Sequence, residues 1–117
     1  MTTNSIAQKW FDAFNEHNLE ALLTLYSENA RHFSPKLKIK HPETKGLISG
    51  KNKLREWWHE AFTNIPSLSY HPNFIICEGD KIFMEYVRKV EGEDDLIVGE
   101  LLVIDNDLIV ESKVYHS

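Results

Sequence analysis

The spacing of apolar positions changes once along the chain, near Pro66. Before it, apolar residues recur every three or four positions. Ile6, Trp10, Ala13 and Phe14 fall on one stripe and predict a helix from near Ser5 to Asn15, capped by Asn4 or Ser5. "NEHN" breaks that stripe, and Asn18 is placed to cap a short second helix whose Leu19, Leu22, Leu23 and Tyr26 share a face. A third helix begins after Ser49-Gly50 and stops before Pro66, which has no amide hydrogen with which to continue it. Its Leu54, Trp57, Trp58, Ala61, Phe62 and Ile65 make a broad apolar face. From Leu68 onward the period is that of strands. "SLSYHPNFIIC", "KIFMEYVRKV", "LIVGELLVI" and "LIVESKVYH" are four such runs, parted by the turn-forming "EGD", "EGEDD" and "DND". In "KLKIKH", lysines alternate with Leu37 and Ile39, which predicts one more strand with a solvated face, lysine being a common guard on sheet edges.

The order is helix, helix, strand, helix, then a meander. It predicts an α+β fold with three helices packed on one face of a strongly curved, mainly antiparallel sheet. "FIIC" and "ELLVI" are apolar on both faces, so the face turned away from the helices is a candidate for contact between two copies of the chain, a homodimer. Residues 1–117 contain no repeat, linker or low-complexity stretch and read as a single domain.

Composition narrows the function classes. Apolar content of 42% with 26% charged residues is that of an ordinary globular chain. No apolar run reaches signal-peptide or membrane-span length, so no membrane contact is expected and the expected location is cytoplasmic. A lone Cys77 excludes an internal disulfide and a cysteine-rich metal site. The net charge of −5 is unevenly spread: eight basic residues and one acid, Glu43, lie between Arg31 and Arg55, a local charge of +7. Such a block attracts anions, but it lacks interleaved aromatics, and with an acidic remainder it does not point to nucleic acid. None of the six histidines falls into a His-x-His or His-x-x-x-His motif, and there is no glycine-rich phosphate loop. The sequence implies no metal and no cofactor.

Two places suggest chemistry. In "ENARHFSP", His32 and Ser34 are two residues apart, so an extended backbone points both to one face. Histidine titrates near neutrality and is a candidate base, whereas a serine hydroxyl cannot shuttle a proton alone. Glu100 interrupts an apolar strand and shares a face with Leu102 and Ile104. If that face is inward, poor solvation raises its pKa and suits it to be a general acid; in the opposite phase it lies outside, paired with a lysine or arginine. Tyr86 and Arg88 also reach the interior in the inward phase. A buried arginine needs a carboxylate partner, for which Glu100 is a candidate.

"WFDAFNEHNLEALLTLYSENARHFSP", followed by "GKNKLREWWHEAF" and a meander ending "IVESKVYH", resembles the nuclear transport factor 2-like superfamily, above all its SnoaL-like polyketide cyclases and ketosteroid isomerases. The resemblance covers essentially the whole chain and implies a cone: a bent sheet wrapped round a long helix, with a mostly apolar pocket open at one end. This fold hosts isomerases, cyclases, dehydratases, epoxide hydrolases and non-catalytic binders. The resemblance places Trp10 where the isomerase has a tyrosine donor, and Ser34 where it has its aspartate base. It therefore implies that the steroid isomerase reaction itself is absent. It puts Tyr26 at a pocket tyrosine ending the second helix, Trp58 at an aromatic on the third, and His116 at an aromatic closing the pocket. Glu100 matches the isomerase's buried, protonated aspartate. The expected function is binding of a small apolar or carbonyl-bearing metabolite, with cofactor-free acid/base chemistry by Glu100 and His32. The alternative is a non-catalytic module whose cone is plugged by Trp10, Trp58 and Tyr86.

Overall fold

A computed structural model describes residues 3–116. Helix α1 spans Thr3–Asn15, beginning two residues earlier than Ser5. Helix α2, Leu19–Thr24, is capped by the Asn18 side chain, which accepts from the Ala21 amide at 3.2 Å. Tyr26 is not on that helix. It opens strand β1, Tyr26–Phe33.

The segment read as a lysine-guarded strand is helix α3, Pro35–Lys40. The cause is local: the Ser34 oxygen accepts from the Lys36 amide, and Pro35 at the first helical position has its φ already set for a helix. In a strand Leu37 and Ile39 would share a face. On the helix they diverge, and Leu37 is 1% exposed while Ile39 is 75% exposed. A 3₁₀ turn at Pro42–Thr44 then leads into the short strand β2, Leu47–Ser49, and helix α4, Lys51–Asn64. The meander follows as β3 (Ser69–Glu78), β4 (Lys81–Lys89), β5 (Leu96–Asp105) and β6 (Leu108–Tyr115).

The six strands form one sheet in the order β2-β1-β6-β5-β4-β3. Only β1 and β6 pair in parallel; the other neighbours are antiparallel. Register shifts at Tyr26/Arg31, Pro72/Phe74 and Val103/Ile104 bend the sheet, as bulges do. The curled sheet cups α1 and α4, and Trp10, Phe14, Leu54 and Trp58 join Ile82, Met84 and Leu102 in one buried cluster. This is an α+β architecture with four helices where the sequence pattern predicted three.

Strand alternation fixes the inner face. On β4, Ile82, Met84, Tyr86 and Arg88 are buried; on β5, Val98, Glu100, Leu102 and Ile104 are. The register sets Glu100 opposite Met84 and Val114, and Ser112 opposite Leu102 and His32. No described helix is long and apolar enough to cross a membrane.

The helical form of residues 35–40 makes Leu37 and Ile39 unequal. Leu37→Ala is expected to cost about 2–5 kcal/mol in urea denaturation, as a buried truncation does. Ile39→Ala should stay within about 0.5 kcal/mol of wild type. Equal losses would restore the strand.

Candidate active site

The inner face of the curled sheet, α1 and α4 leave a cavity of about 360 Å³, a size usual for small-molecule sites. Trp10 and Phe14 come from α1, Trp57, Trp58 and Ala61 from α4, and Tyr70, Tyr86, Val98 and Val114 from the sheet. These walls are apolar and aromatic. Tyr70 stacks on Phe14 with ring centroids 4.0 Å apart and on Tyr86 at 4.2 Å. Trp10, Trp58 and Tyr86, read as candidate plugs, line the space without filling it. At another part of the lining stand Lys36, Lys40, Glu60, Arg88 and Glu93.

Two titratable groups sit among the apolar walls. Glu100 is 2% exposed, and its Oε1 accepts from the Tyr86 hydroxyl at 2.7 Å. Its Oε2 is buried with no hydrogen-bond partner. Burial raises its pKa to about 8, against a smaller lowering by the Tyr86 bond. Glu100 therefore holds its proton at neutral pH. Since Tyr86 donates to Oε1, that proton belongs on Oε2. Burial, the Glu100 and Tyr70 charges and the hydrogen bond to Glu100 push Tyr86 well above the ordinary phenol range, so it serves as a neutral donor.

His32, at the end of β1, is 3% exposed and also lines the cavity. Its Nδ1 lies 2.6 Å from Ser112 Oγ, behind the wall. Burial lowers its pKa to about 4, so the ring is neutral at physiological pH. The same Ser112 oxygen receives a long bond, 3.4 Å, from the Tyr26 hydroxyl, which accepts from Trp10 Nε1 at 3.0 Å.

The structure thus brings Glu100, His32, Ser34, Trp10, Trp58, Tyr86, Arg88 and His116 to one cavity. Tyr26 is the exception. It is wholly buried one layer back, between Trp10 and Ser112, because it starts a strand and does not end a helix. Ser34 spends its oxygen on capping α3. Arg88 pairs with Glu93 at 3.1 Å and not with Glu100, since the antiparallel register puts Arg88 opposite Leu96, four residues from the glutamate. Ser112 and Tyr70 were missed from the sequence. Ser112 had a visible sign, a small polar residue on the inward phase of an apolar strand. Tyr70 had none, because the bulge at Pro72/Phe74 resets the phase of β3.

The family model of the SnoaL-like domain matches residues 7–111. No curated protein sequence matches the chain. Among solved structures, a SnoaL-like protein of Burkholderia thailandensis aligns over 99% of this chain and 97% of its own, at TM-score 0.87 and 24% identity. A protein of Catenulispora acidiphila with a ketosteroid isomerase-like fold, in complex with trimethylamine, covers 99% and 88% at TM-score 0.78 and 20% identity. TerC, co-crystallised with polyporic acid, covers 97% and 90% at TM-score 0.84 and 14% identity. At these identities the likeness is one of fold.

Tyr86→Phe removes the one side-chain hydrogen bond that Glu100 accepts among the described residues, and that bond favours the ionised form. The Glu100 pKa is therefore expected to rise above about 8, read from the side-chain carboxyl carbon in an NMR pH titration. A fall would mean that Tyr86 stabilises the neutral acid instead.

Proposed function

The chain belongs to the SnoaL-like domain family, and on that footing we propose that its cavity binds a small, largely apolar metabolite bearing a carbonyl oxygen. The observation that carries this reading is the Glu100 Oε2, buried, unpartnered and part of a residue lining an aromatic cavity. A buried polar atom without a partner is costly, and a ligand oxygen accepting from its proton would remove that cost. A carboxylic acid kept neutral near pH 7 can also protonate or hydrogen-bond an oxygen as charge develops on it. The chemistry this supports is enolisation, aldol cyclisation or isomerisation without a cofactor, with Glu100 as the acid.

Glutamine copies the protonated acid in shape and donor, but it cannot transfer a proton. Glu100→Gln should bind carbonyl ligands within a few-fold of wild type at pH 7 and lose turnover by about 10²–10⁴-fold. Wild-type affinity should fall as pH rises through about 8, and Glu100→Gln should show no such fall. A substrate turned over at full rate by Glu100→Gln would falsify the assignment.

Stability carries the same signature. Glu100 has a folded pKa of about 8 against an ordinary 4.5. Between those values the unfolded chain has released a proton that the folded chain keeps, so stability falls as pH rises. His32, at about 4 against 6.5, contributes stability that is present above 6.5 and is lost as pH falls toward 4. In thermal melts Glu100→Gln should gain on wild type progressively from pH 5 to about 8. His32→Gln should gain only on the acid side.

We propose a second copy of the chain as occupant of the outer sheet face. Phe74, Ile76, Phe83, Ile97 and Tyr115 are exposed there on neighbouring strands, and the Phe83 ring packs over Gly99, filling the space of a missing side chain. Glu85 and Lys113 share that face, so a two-fold pairing could set opposite charges together. Light scattering should give a dimer mass, and Phe83→Glu should return a folded monomer. An unchanged mass in that variant would count against this face.

A further inference from the structure

Four buried groups, Trp10 and His32 in the cavity wall and Tyr26 and Ser112 behind it, form a hydrogen-bond chain whose first donor is fixed. Trp10 Nε1 carries a hydrogen and no available lone pair, so it can only donate, and its partner is the Tyr26 oxygen at 3.0 Å. Tyr26 then directs its own hydrogen to Ser112 Oγ at 3.4 Å. Ser112 has one hydrogen, and with its oxygen already accepting from Tyr26 it is placed to donate to His32 Nδ1, 2.6 Å away. All four residues are at most 3% exposed, which leaves water no easy route to reverse the order.

We propose that the relay Trp10 → Tyr26 → Ser112 → His32 holds His32 as the tautomer protonated on Nε2, so that His32 meets the ligand as a second neutral hydrogen-bond donor and not as a base. Nδ1 is taken up behind the wall, and Nε2 is the nitrogen left for the cavity. Its low proton affinity fits, because an acceptor Nδ1 buried among apolar groups gains little by charging. Trp10, Tyr26 and Ser112 are positioning residues: Tyr26 and Ser112 lie outside the cavity lining and act through the imidazole.

The consequence concerns ligand class and rests on the reading that this cavity takes a carbonyl-bearing ligand. Below pH 8 Glu100 and His32 both offer hydrogens to the cavity. Such a site selects acceptor oxygens, those of a carbonyl, quinone or enolate, over hydroxyl groups that need a proton removed.

Long-range ¹H–¹⁵N correlation spectra of the unliganded, ¹⁵N-labelled full chain read the tautomer directly. The expected His32 pattern at pH 7 is a protonated Nε2 with an unprotonated Nδ1 at the shift of a hydrogen-bond acceptor. Ser112→Ala should move Nδ1 to the shift of a free nitrogen. Tyr26→Phe lets the Ser112 hydroxyl turn and should admit a tenth or more of the Nδ1-protonated form. Purely structural roles for Ser112 and Tyr26 would change melting temperature and leave the imidazole shifts alone. A protonated Nδ1 in the wild type, or variants with wild-type imidazole shifts, overturns the relay. A screen of carbonyl ligands and their alcohol counterparts separates the two ideas. Correct NMR signatures with no carbonyl binding would leave the relay standing and sink the ligand reading.

Discussion

A carboxyl group held inside a curled sheet by one tyrosine hydroxyl is the constraint around which this cavity is organised. Glu100 is 2% exposed, and in such a place ionisation is strongly opposed. The fold tolerates it by keeping the proton on, and a proton kept on at neutral pH is also the site's main chemical asset. The unpartnered Oε2 is thus both a weakness in the empty protein and the feature that a ligand oxygen would complete.

The surroundings follow from that choice. Burial among aromatic walls from α1, α4 and β3–β4 holds the Glu100 pKa up and the His32 pKa down together. Two groups with ordinary values of 4.5 and 6.5 end with their order exchanged, near 8 and near 4. One environment produces both shifts, since burial penalises whichever form is charged. The result is a pair of neutral side chains, each with its protein-side valence occupied: Glu100 Oε1 by Tyr86 and His32 Nδ1 by Ser112.

Several residues near the cavity work chiefly for the scaffold. Ser34, which the resemblance to ketosteroid isomerases aligns with an aspartate, caps α3, the helix that carries Lys36 and Lys40 to the cavity lining. Arg88 is tied to Glu93. Such pairings explain why a family resemblance, residue by residue, is a poor guide to role: the same place in the fold can hold a proton carrier or a helix cap.

Period and punctuation in the sequence were sufficient for three of the helices, with ends shifted by a residue or two, and for all four meander strands, whereas the phase of Glu100, open between two faces in the sequence, is settled inward by the buried face of the sheet. The nature of 35–40 was misread, since three lysines alternating with two apolar residues satisfy a strand pattern while the Ser34-Pro35 start, a purely local signal, favours a helix. What the tertiary structure alone decided is the pairing of polar atoms. That Tyr26 stands behind the wall, that Arg88 meets Glu93, and that Ser112 reaches His32 across 80 residues of chain all depend on strand register and on bulges at Tyr26/Arg31, Pro72/Phe74 and Val103/Ile104. A register shift moves every partner by a residue, and no single-strand pattern encodes it.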